Sequence, residues 1–277
     1  MNPGGIEGLR NYFEVSMKKT ILFLGLGLLF SALALAETEC FLAKENNQIL
    51  KQKGSDCRTR YAPESTFKIA LSMMGFDSGI LQDETNPEWP CKKEYDYLLN
   101  VCKGPHTPRT WMRDSCLWYS RVLTQELGMA KFQDYIQKFN YGNGEIKGEN
   151  ALTHSWISSS LQISPLEQTE FLQKFVDHEL PISSHAYKMT KKIMFLQELP
   201  GGWKLYGKTG NGRQLDKNGK KSDLQHGWFV GFIEKDGRAI TFASHITDDK
   251  KCDTFASFRA RNEALIKLWY LIDELEK

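Results

Sequence analysis

A short stretch that carries a serine and a lysine three residues apart constrains this chain more than any other feature. It runs over residues 63–75, and its apolar side chains recur at the three- and four-residue spacing of one helix face. These apolar residues are Phe67, Ala70, Leu71 and Met74. Ser65 and Lys68 fall on a second, polar face, one turn apart, where side chains can meet. The pattern predicts a nucleophile beside a base on a buried helix that ends at Gly75.

Burial would set the chemistry of Lys68. An apolar setting disfavours the charged form of a lysine and so lowers its pKa. A neutral amine can accept a proton or react with carbon dioxide. The S-x-x-K spacing alone is not specific, because Ser16 and Lys19 repeat it elsewhere in the chain.

The first 36 residues read as a leader. Residues 17–36 combine a basic start, an apolar run and a final Ala34-Leu35-Ala36, which is the pattern of a cleavable secretory signal. We expect cleavage before Glu37 and export to the periplasm; an uncleaved membrane anchor is the alternative. Residues 1–16 are interpreted as an upstream extension.

Charge and cysteine spacing exclude some classes of function. The 36 basic and 34 acidic residues are mixed along the chain and leave a net charge of +2, so we expect no nucleic-acid partner. The six cysteines form no C-x-x-C pair and the histidines no H-x-x-x-H pair, so we expect no metal site. Cys91 and Cys102 bracket a short loop and are the expected disulfide pair.

The order of elements predicts an α+β fold. Two short strands lie near residues 40–51, the pattern is helical over about 63–198, and three antiparallel strands and a long helix follow. Ser164 and Glu167 form a capping box that begins a helix at Pro165. The last helix is expected to turn four residues inward, namely Leu265, Leu268, Trp269 and Ile272.

We therefore predict one domain over residues 37–277. Residues 37–62 and about 199–277 would form an antiparallel sheet flanked by helices, and about 63–198 an inserted helical lobe. A cleft between the two lobes is the expected ligand site.

Three further motifs follow the Ser65 helix. They are Ser115-Cys116-Leu117, Tyr141-Gly142-Asn143 and Lys208-Thr209-Gly210. Taken singly, they also fit a surface serine, a helix-ending turn and a strand-end turn. In this order they match the motif set of penicillin-recognising serine enzymes. With Trp156, Trp228-Phe229-Val230-Gly231 and Arg261-Asn262-Glu263, the mature chain closely resembles the class D, or oxacillinase-type, serine β-lactamases.

The resemblance implies how the reaction would run. Ser65 would attack the β-lactam carbonyl and form an acyl-enzyme. Lys68 would be carboxylated by carbon dioxide to N6-carboxylysine and serve as general base in acylation and deacylation, with the indole N–H of Trp156 holding the carbamate. Ser115 would relay a proton to the leaving nitrogen. Apart from carbon dioxide or bicarbonate, no cofactor is expected.

The resemblance also implies substrate-binding and structural residues. Lys208, Thr209 and Arg261 would hold the substrate carboxylate, with Arg259 the rival for the third place. The backbone N–H groups of Ser65 and of Asn211, just past Gly210, would form the oxyanion hole.

Two motifs are expected to be structural. Tyr141, Gly142 and Asn143 are taken as mainly architectural. Leu117 departs from the valine usual in the family, which bears on carbamate stability and on how water reaches the acyl bond.

Hydrolysis of penicillin-type β-lactams is the predicted activity. A penicillin-binding D,D-peptidase and a β-lactam sensor domain are the alternatives; the sensor is disfavoured because no run after residue 36 approaches about 18 apolar residues. β-Lactam antibiotics are the expected partners, and monomer and homodimer both remain open.

Overall fold

A six-stranded antiparallel sheet organises the chain. The computed structural model describes residues 38–46, 48–95 and 99–277, so the expected extension and signal lie outside the described residues. The strands run in the order β2-β1-β6-β5-β4-β3 across the sheet. Their bounds are β1 Thr38–Glu45, β2 Gln48–Lys53, β3 Phe195–Glu198, β4 Lys204–Leu215, β5 Lys221–Lys235 and β6 Arg238–Thr247.

Eight α-helices lie within the described part of the chain. They are α1 Lys68–Asp77, α2 Pro108–Asp114, α3 Leu117–Leu127, α4 Met129–Phe139, α5 Ala151–His154, α6 Pro165–Val176, α7 Ser184–Met194 and α8 Ala256–Leu275. Short 3-10 segments cover Glu64–Phe67, Asn100–Lys103 and Pro200–Gly202. None of the described helices has both the length and the apolar character that crossing a membrane requires.

Strand β5 shows why the sheet is covered on both faces. Phe229 and Ile233 face a core shared with Leu268 and Ile272 of α8. The alternate residues Trp228, Val230 and Phe232 join the larger core formed by the helices between β2 and β3. Successive strand residues point to opposite faces, so the stretch 227–233 of β5, which has no polar side chain, is buried between two layers.

The predicted fold class is confirmed. β1 and β2 from the start of the described chain join β4, β5 and β6 from its end, with β1 pairing to β6. The C-terminal part of the sheet begins earlier than the predicted residue 199, since β3 starts at Phe195. β4 is also longer than predicted and continues through Lys208-Thr209-Gly210 to Leu215.

Two local predictions were wrong for packing reasons. Gly75 does not end α1; it lies inside the helix, where an added Cβ would come within 2.7 Å of the Leu81 side chain. Trp269 is 65% exposed, whereas the buried residues at the end of α8 are Leu268, Leu271 and Ile272. The hydrophobic spacing along α8 fits either face, and contact with the sheet selects the face that carries Leu271.

The predicted Cys91–Cys102 disulfide was also wrong. Cys102 is bonded to Cys116, Cys40 is bonded to Cys57, and Cys91 is free and half-buried. The segment Asn100–Lys103 lies against the junction of α2 and α3, which brings the Cα atoms of Cys102 and Cys116 to 5.5 Å. That separation is within the range a disulfide can span.

We expect Gly227→Ala to destabilise the fold. A Cβ at Gly227 would lie 2.1 Å from the carbonyl carbon of Ala256, where α8 begins against β5. Overpacking of backbone on backbone costs about 1–3 kcal/mol. Urea unfolding followed by circular dichroism would show this as a lower midpoint at an unchanged m-value.

Gly104→Ala is the matched control. Gly104 has extended backbone angles, and no described heavy atom lies within 4 Å of the position that an alanine methyl group would take there. The free energy of unfolding should therefore change by less than about 0.5 kcal/mol. Equal midpoints for the two variants would contradict the close α8–β5 contact.

Candidate active site

The candidate nucleophile lies on a 3-10 turn that leads directly into α1. Thr66 fixes this turn, because its hydroxyl donates to the Pro63 carbonyl at 2.6 Å and accepts from the Gln168 amide at 3.0 Å. Trp228 on β5 donates its indole N–H to the Ala62 carbonyl at 2.9 Å. The turn is thus tied to α6 and to the sheet, and Ser65 remains half-buried at its surface.

Lys68 meets Ser65 as the sequence predicted. Its Nζ atom is 3.1 Å from Ser65 Oγ, and the lysine side chain is fully buried. Burial and then the nearby charge of Lys208 hold the pKa of Lys68 well below its ordinary value, while Glu64 opposes them in part. The site therefore favours an uncharged amine that can take the serine proton.

The edge of β4 runs along this turn. A Cβ at Gly210 would come within 2.8 Å of the Pro63 carbonyl oxygen and 3.1 Å of the Thr66 nitrogen. β3 pairs with β4 only over Lys204–Tyr206, so it does not cover β4 at Gly210. Glycine at this position lets the strand backbone approach the backbone of the nucleophile turn.

Lys208 is a second buried lysine beside the first. Its Nζ donates to the Thr209 carbonyl at 3.1 Å, and its side chain is 5% exposed. Burial, and then the charge of Arg261, lower the pKa of Lys208 to about 7, whereas Asp114 acts in the opposite direction. The site thus gathers cationic groups from β4 and α8, which suits an anionic substrate group.

The structure distinguishes the two arginines of α8. Arg259 forms an ion pair with the buried carboxylate of Asp248. Arg261 is half-buried, and its positive charge lowers the pKa of Lys208. This placement favours Arg261 as the arginine that faces the site.

Ser115 lies at the turn between α2 and α3. It has a left-handed backbone with φ of 64°, and its N–H donates to the Trp111 carbonyl at 2.9 Å. The negative charge of the neighbouring Asp114 raises the pKa of Lys208, which places this turn at the same site. Cys116 is held by its disulfide, and Leu117 packs half-buried against the main core.

The Tyr-Gly-Asn motif organises the loop that carries Trp156. Tyr141 is buried with its ring 5.2 Å from that of Phe67. Gly142 has a φ of +55°, and a Cβ there would come within 2.1 Å of the Gln162 carbonyl oxygen. Asn143 accepts from the Gln162 N–H at 2.9 Å and donates to the Ser160 carbonyl at 2.8 Å. These contacts support an architectural role.

Trp156 and Asn211 each belong to a segment that contacts the nucleophile turn. The Trp156 ring stacks on Phe67 at 5.3 Å, and its carbonyl accepts from the Glu64 N–H at 3.0 Å. Asn211 pairs with Gly227 in the β4–β5 ladder, and its side chain accepts from the Ser257 N–H at 3.0 Å. The roles of the Trp156 indole and of the Asn211 N–H remain predictions.

Sequence reasoning missed the acidic residue next to the nucleophile. Glu64 is buried, and its Oε1 accepts from the Ser158 N–H at 2.7 Å. His226 Nε2 lies 3.4 Å from the same oxygen, and His226 Nδ1 lies 3.2 Å from His245 Nε2. The sequence places Glu64 next to Ser65, but no spacing rule predicts its contacts with Ser158 and His226, which lie far away in the sequence.

One group of soft ligand atoms lies close together in the described part of the chain. It consists of Cys102, His106 and Cys116. The two sulfurs are bonded to each other as a disulfide, so they offer no thiolate to a metal in this state.

Known proteins match this chain over most of its length. A family model described as the penicillin binding protein transpeptidase domain matches residues 31–268. β-Lactamase OXA-9 of Klebsiella pneumoniae is 41% identical over 223 residues, covering 77% of this chain and 80% of that protein. β-Lactamase OXA-1 of Escherichia coli is 39% identical over 234 residues, covering 82% of each.

A solved structure gives the same result. The crystal structure of the class D β-lactamase OXA-427 matches with a TM-score of 0.81 and 38% identity, covering 86% of this chain and 100% of that chain. The fold and the serine–lysine pair thus define a penicillin-recognising serine protein. Within that class, the chain belongs to the class D β-lactamases, which confirms the resemblance seen in the sequence.

We expect Arg261→Gln to raise the pKa of Lys208 above about 7, because it removes a positive charge that disfavours a second one. NMR titration of ¹³Cε-lysine protein in carbon dioxide-free buffer measures this directly. Arg259→Gln is the matched control, since Asp248 neutralises that guanidinium. An unchanged pKa in Arg261→Gln, or an equal rise in both variants, would rule out the placement of Arg261.

Proposed function

We propose that the chain opens the β-lactam ring of penicillin-type antibiotics through a Ser65 acyl-enzyme, with carboxylated Lys68 as the general base. Membership of the family makes the chain a serine β-lactamase. The observation that carries the mechanism is the fully buried Lys68 amine 3.1 Å from Ser65 Oγ. An uncharged amine at this distance can exchange a proton with the hydroxyl.

Carboxylation explains how the same residue could serve both half-reactions. The nitrogen of neutral Lys68 attacks the carbon of carbon dioxide, an N–C bond forms as one C=O π bond opens, and the nitrogen gives one proton to solvent, which leaves an anionic carbamate. The neighbouring charge of Lys208 supports an anion at this position. The carbamate takes the Ser65 proton during acylation and a water proton during deacylation. Trp156, stacked on Phe67, is the proposed donor to the carbamate.

Substrate binding is assigned to the cationic side of the site. Lys208, Thr209 and Arg261 would hold the substrate carboxylate, since an arginine fork and an ammonium both pair with carboxylates. Ser115 would deliver a proton to the nitrogen of the β-lactam ring when the bond from that nitrogen to the carbonyl carbon breaks. Ser115 follows Asp114, whose charge raises the pKa of Lys208.

The oxyanion hole is assigned to two backbone donors. The N–H groups of Ser65 and Asn211 belong to the nucleophile turn and to the adjoining edge of β4. The close approach at Gly210 brings these two backbones together. Backbone donors aimed at the developing oxyanion stabilise the transition state without reorganisation.

Turnover separates this function from its alternatives. A D,D-peptidase or a sensor domain would also be acylated at Ser65 but would release the acyl group very slowly. Stopped-flow mixing with a penicillin should therefore show sustained hydrolysis and not one stoichiometric burst. A burst that stalls in the presence of ample bicarbonate would overturn the hydrolase assignment.

We also propose export to the periplasm. Residues 17–36 have the signal pattern, and two disulfides lie among the described residues. Disulfides form and persist mainly in oxidising compartments. N-terminal sequencing of periplasmic protein should begin at Glu37.

Lys68→Ala should lower turnover by about 10²–10⁴-fold, because it removes the general base. Wild-type protein depleted of carbon dioxide should regain activity on addition of bicarbonate. Acid protonates the carbamate, which then releases carbon dioxide and leaves the Lys68 amine to take up a proton, so activity should be lost on the acid side. Steady-state kinetics and the ¹³C carbamate signal after labelling with ¹³C-bicarbonate measure these effects.

Asp77→Asn provides the control for a general loss of packing. Asp77 lies at the far end of α1, where it accepts from the Tyr135 hydroxyl at 2.6 Å, and it touches neither Ser65 nor Lys68. Its turnover should stay near that of the wild type. Full activity at low pH without bicarbonate would count against the carbamate mechanism.

A further inference from the structure

Glu64 precedes the nucleophile and adopts an unusual backbone conformation. Its φ is +51°, in the left-handed region that residues other than glycine rarely occupy. Its side chain is only 4% exposed, and its N–H donates to the Trp156 carbonyl at 3.0 Å. Such a conformation persists only where the surrounding structure fixes it. The contacts of the side chain supply that fixation.

The Glu64 carboxylate joins three segments at one point. Its Oε1 accepts from both the N–H and the hydroxyl of Ser158, at 2.7 and 2.6 Å. His226 on β5 lies 3.4 Å from the same oxygen. A Cβ at Gly212 on β4 would come within 2.3 Å of Glu64 Oε1 and 2.4 Å of His226 Nε2. The turn that carries Ser65 is therefore held between β4, β5 and the loop after Trp156.

We propose that Glu64 is a positioning residue for the acyl-transfer reaction, fixing the turn that carries Ser65 and setting a negative charge near Lys68. This inference rests on the proposed function, in which an uncharged Lys68 is required. Glu64 touches no reacting atom; it acts through the backbone of Ser65 and through the field at the Lys68 amine.

The charges around Lys68 determine the sign of the electrostatic effect. Lys208 on β4 lowers the pKa of Lys68, and Glu64 raises it. Behind Glu64, the His226 ring contacts His245 on β6, whose pKa burial holds well below its ordinary value. The Tyr61 ring stacks on that of His226 and lies tilted 4.1 Å from that of His245, and burial raises the pKa of its hydroxyl, so it stays neutral. Removing the negative charge of Glu64 should therefore lower the pKa of Lys68, because the effect of Lys208 is then less opposed.

Two substitutions separate position from charge. Glu64→Gln keeps an acceptor oxygen for Ser158 and removes the charge, so the acid limb of the pH–kcat profile should move to lower pH. Glu64→Ala removes the acceptor as well, and kcat should fall by about 10²-fold with KM little changed, since misplacement of a reacting group costs about that much. Asp77→Asn is the matched control, because it removes a structural carboxylate from the far end of α1, the helix that carries Lys68, but should move neither kcat nor the profile.

A second readout does not require turnover. NMR titration of ¹³Cε-lysine protein in carbon dioxide-free buffer, assigned with Lys68→Ala, should show a lower pKa for Lys68 in Glu64→Gln than in the wild type. Melting curves identify any variant that fails to fold, and Glu64→Gln decides the case if Glu64→Ala does not fold. An unmoved Lys68 pKa in Glu64→Gln, or wild-type kcat in folded Glu64→Ala, would overturn the inference. If the wild type does not turn over penicillin while the pKa still falls in Glu64→Gln, the proposed function fails and the charge effect stands.

Discussion

The burial of one amine beside one hydroxyl is the constraint on which the site depends. Lys68 is fully enclosed, and its Nζ bonds to the neutral hydroxyl of Ser65. A charged ammonium in such a place would lose its hydration without adequate compensation, so burial lowers the pKa of Lys68 and favours the uncharged amine. This condition requires a dry surrounding, which the buried apolar residues of α1 and the ring of Phe67 provide. Stability and reactivity here have the same physical origin.

The sheet serves the site through one close backbone contact. Glycines at positions 210 and 212 bring β4 against the nucleophile turn and against Glu64. The same strand carries Lys208, two residues before the first of these glycines, to the cationic side of the site. A side chain at either glycine would separate the two halves of the site, so the position of the substrate carboxylate relative to Ser65 follows from backbone packing as much as from the reactive residues.

Local patterns made much of this structure predictable. The Ser164–Glu167 capping box begins α6 where expected. The Ser65–Lys68 contact followed from helix spacing alone. Features set by distant contacts could not be read in this way. The partner of Cys102 depends on where α2 meets α3, and the outward position of Trp269 depends on which face of α8 meets the sheet. Glu64 gave no signal because its partners Ser158 and His226 are far away in the sequence.

The disulfide beside Ser115 has a practical consequence for anyone preparing the enzyme. Cys116 separates Ser115 from Leu117, so a single covalent link restrains the backbone on both sides of it. Protein recovered from a reducing host would have that link open, with the segment held by packing and by hydrogen bonds such as the one from the Trp118 indole N–H to the Cys102 carbonyl. Oxidised and reduced batches would then be two different reagents that differ in mass only by the hydrogens of their thiols, and kinetic constants from different laboratories are comparable only when the thiol content of each batch is stated.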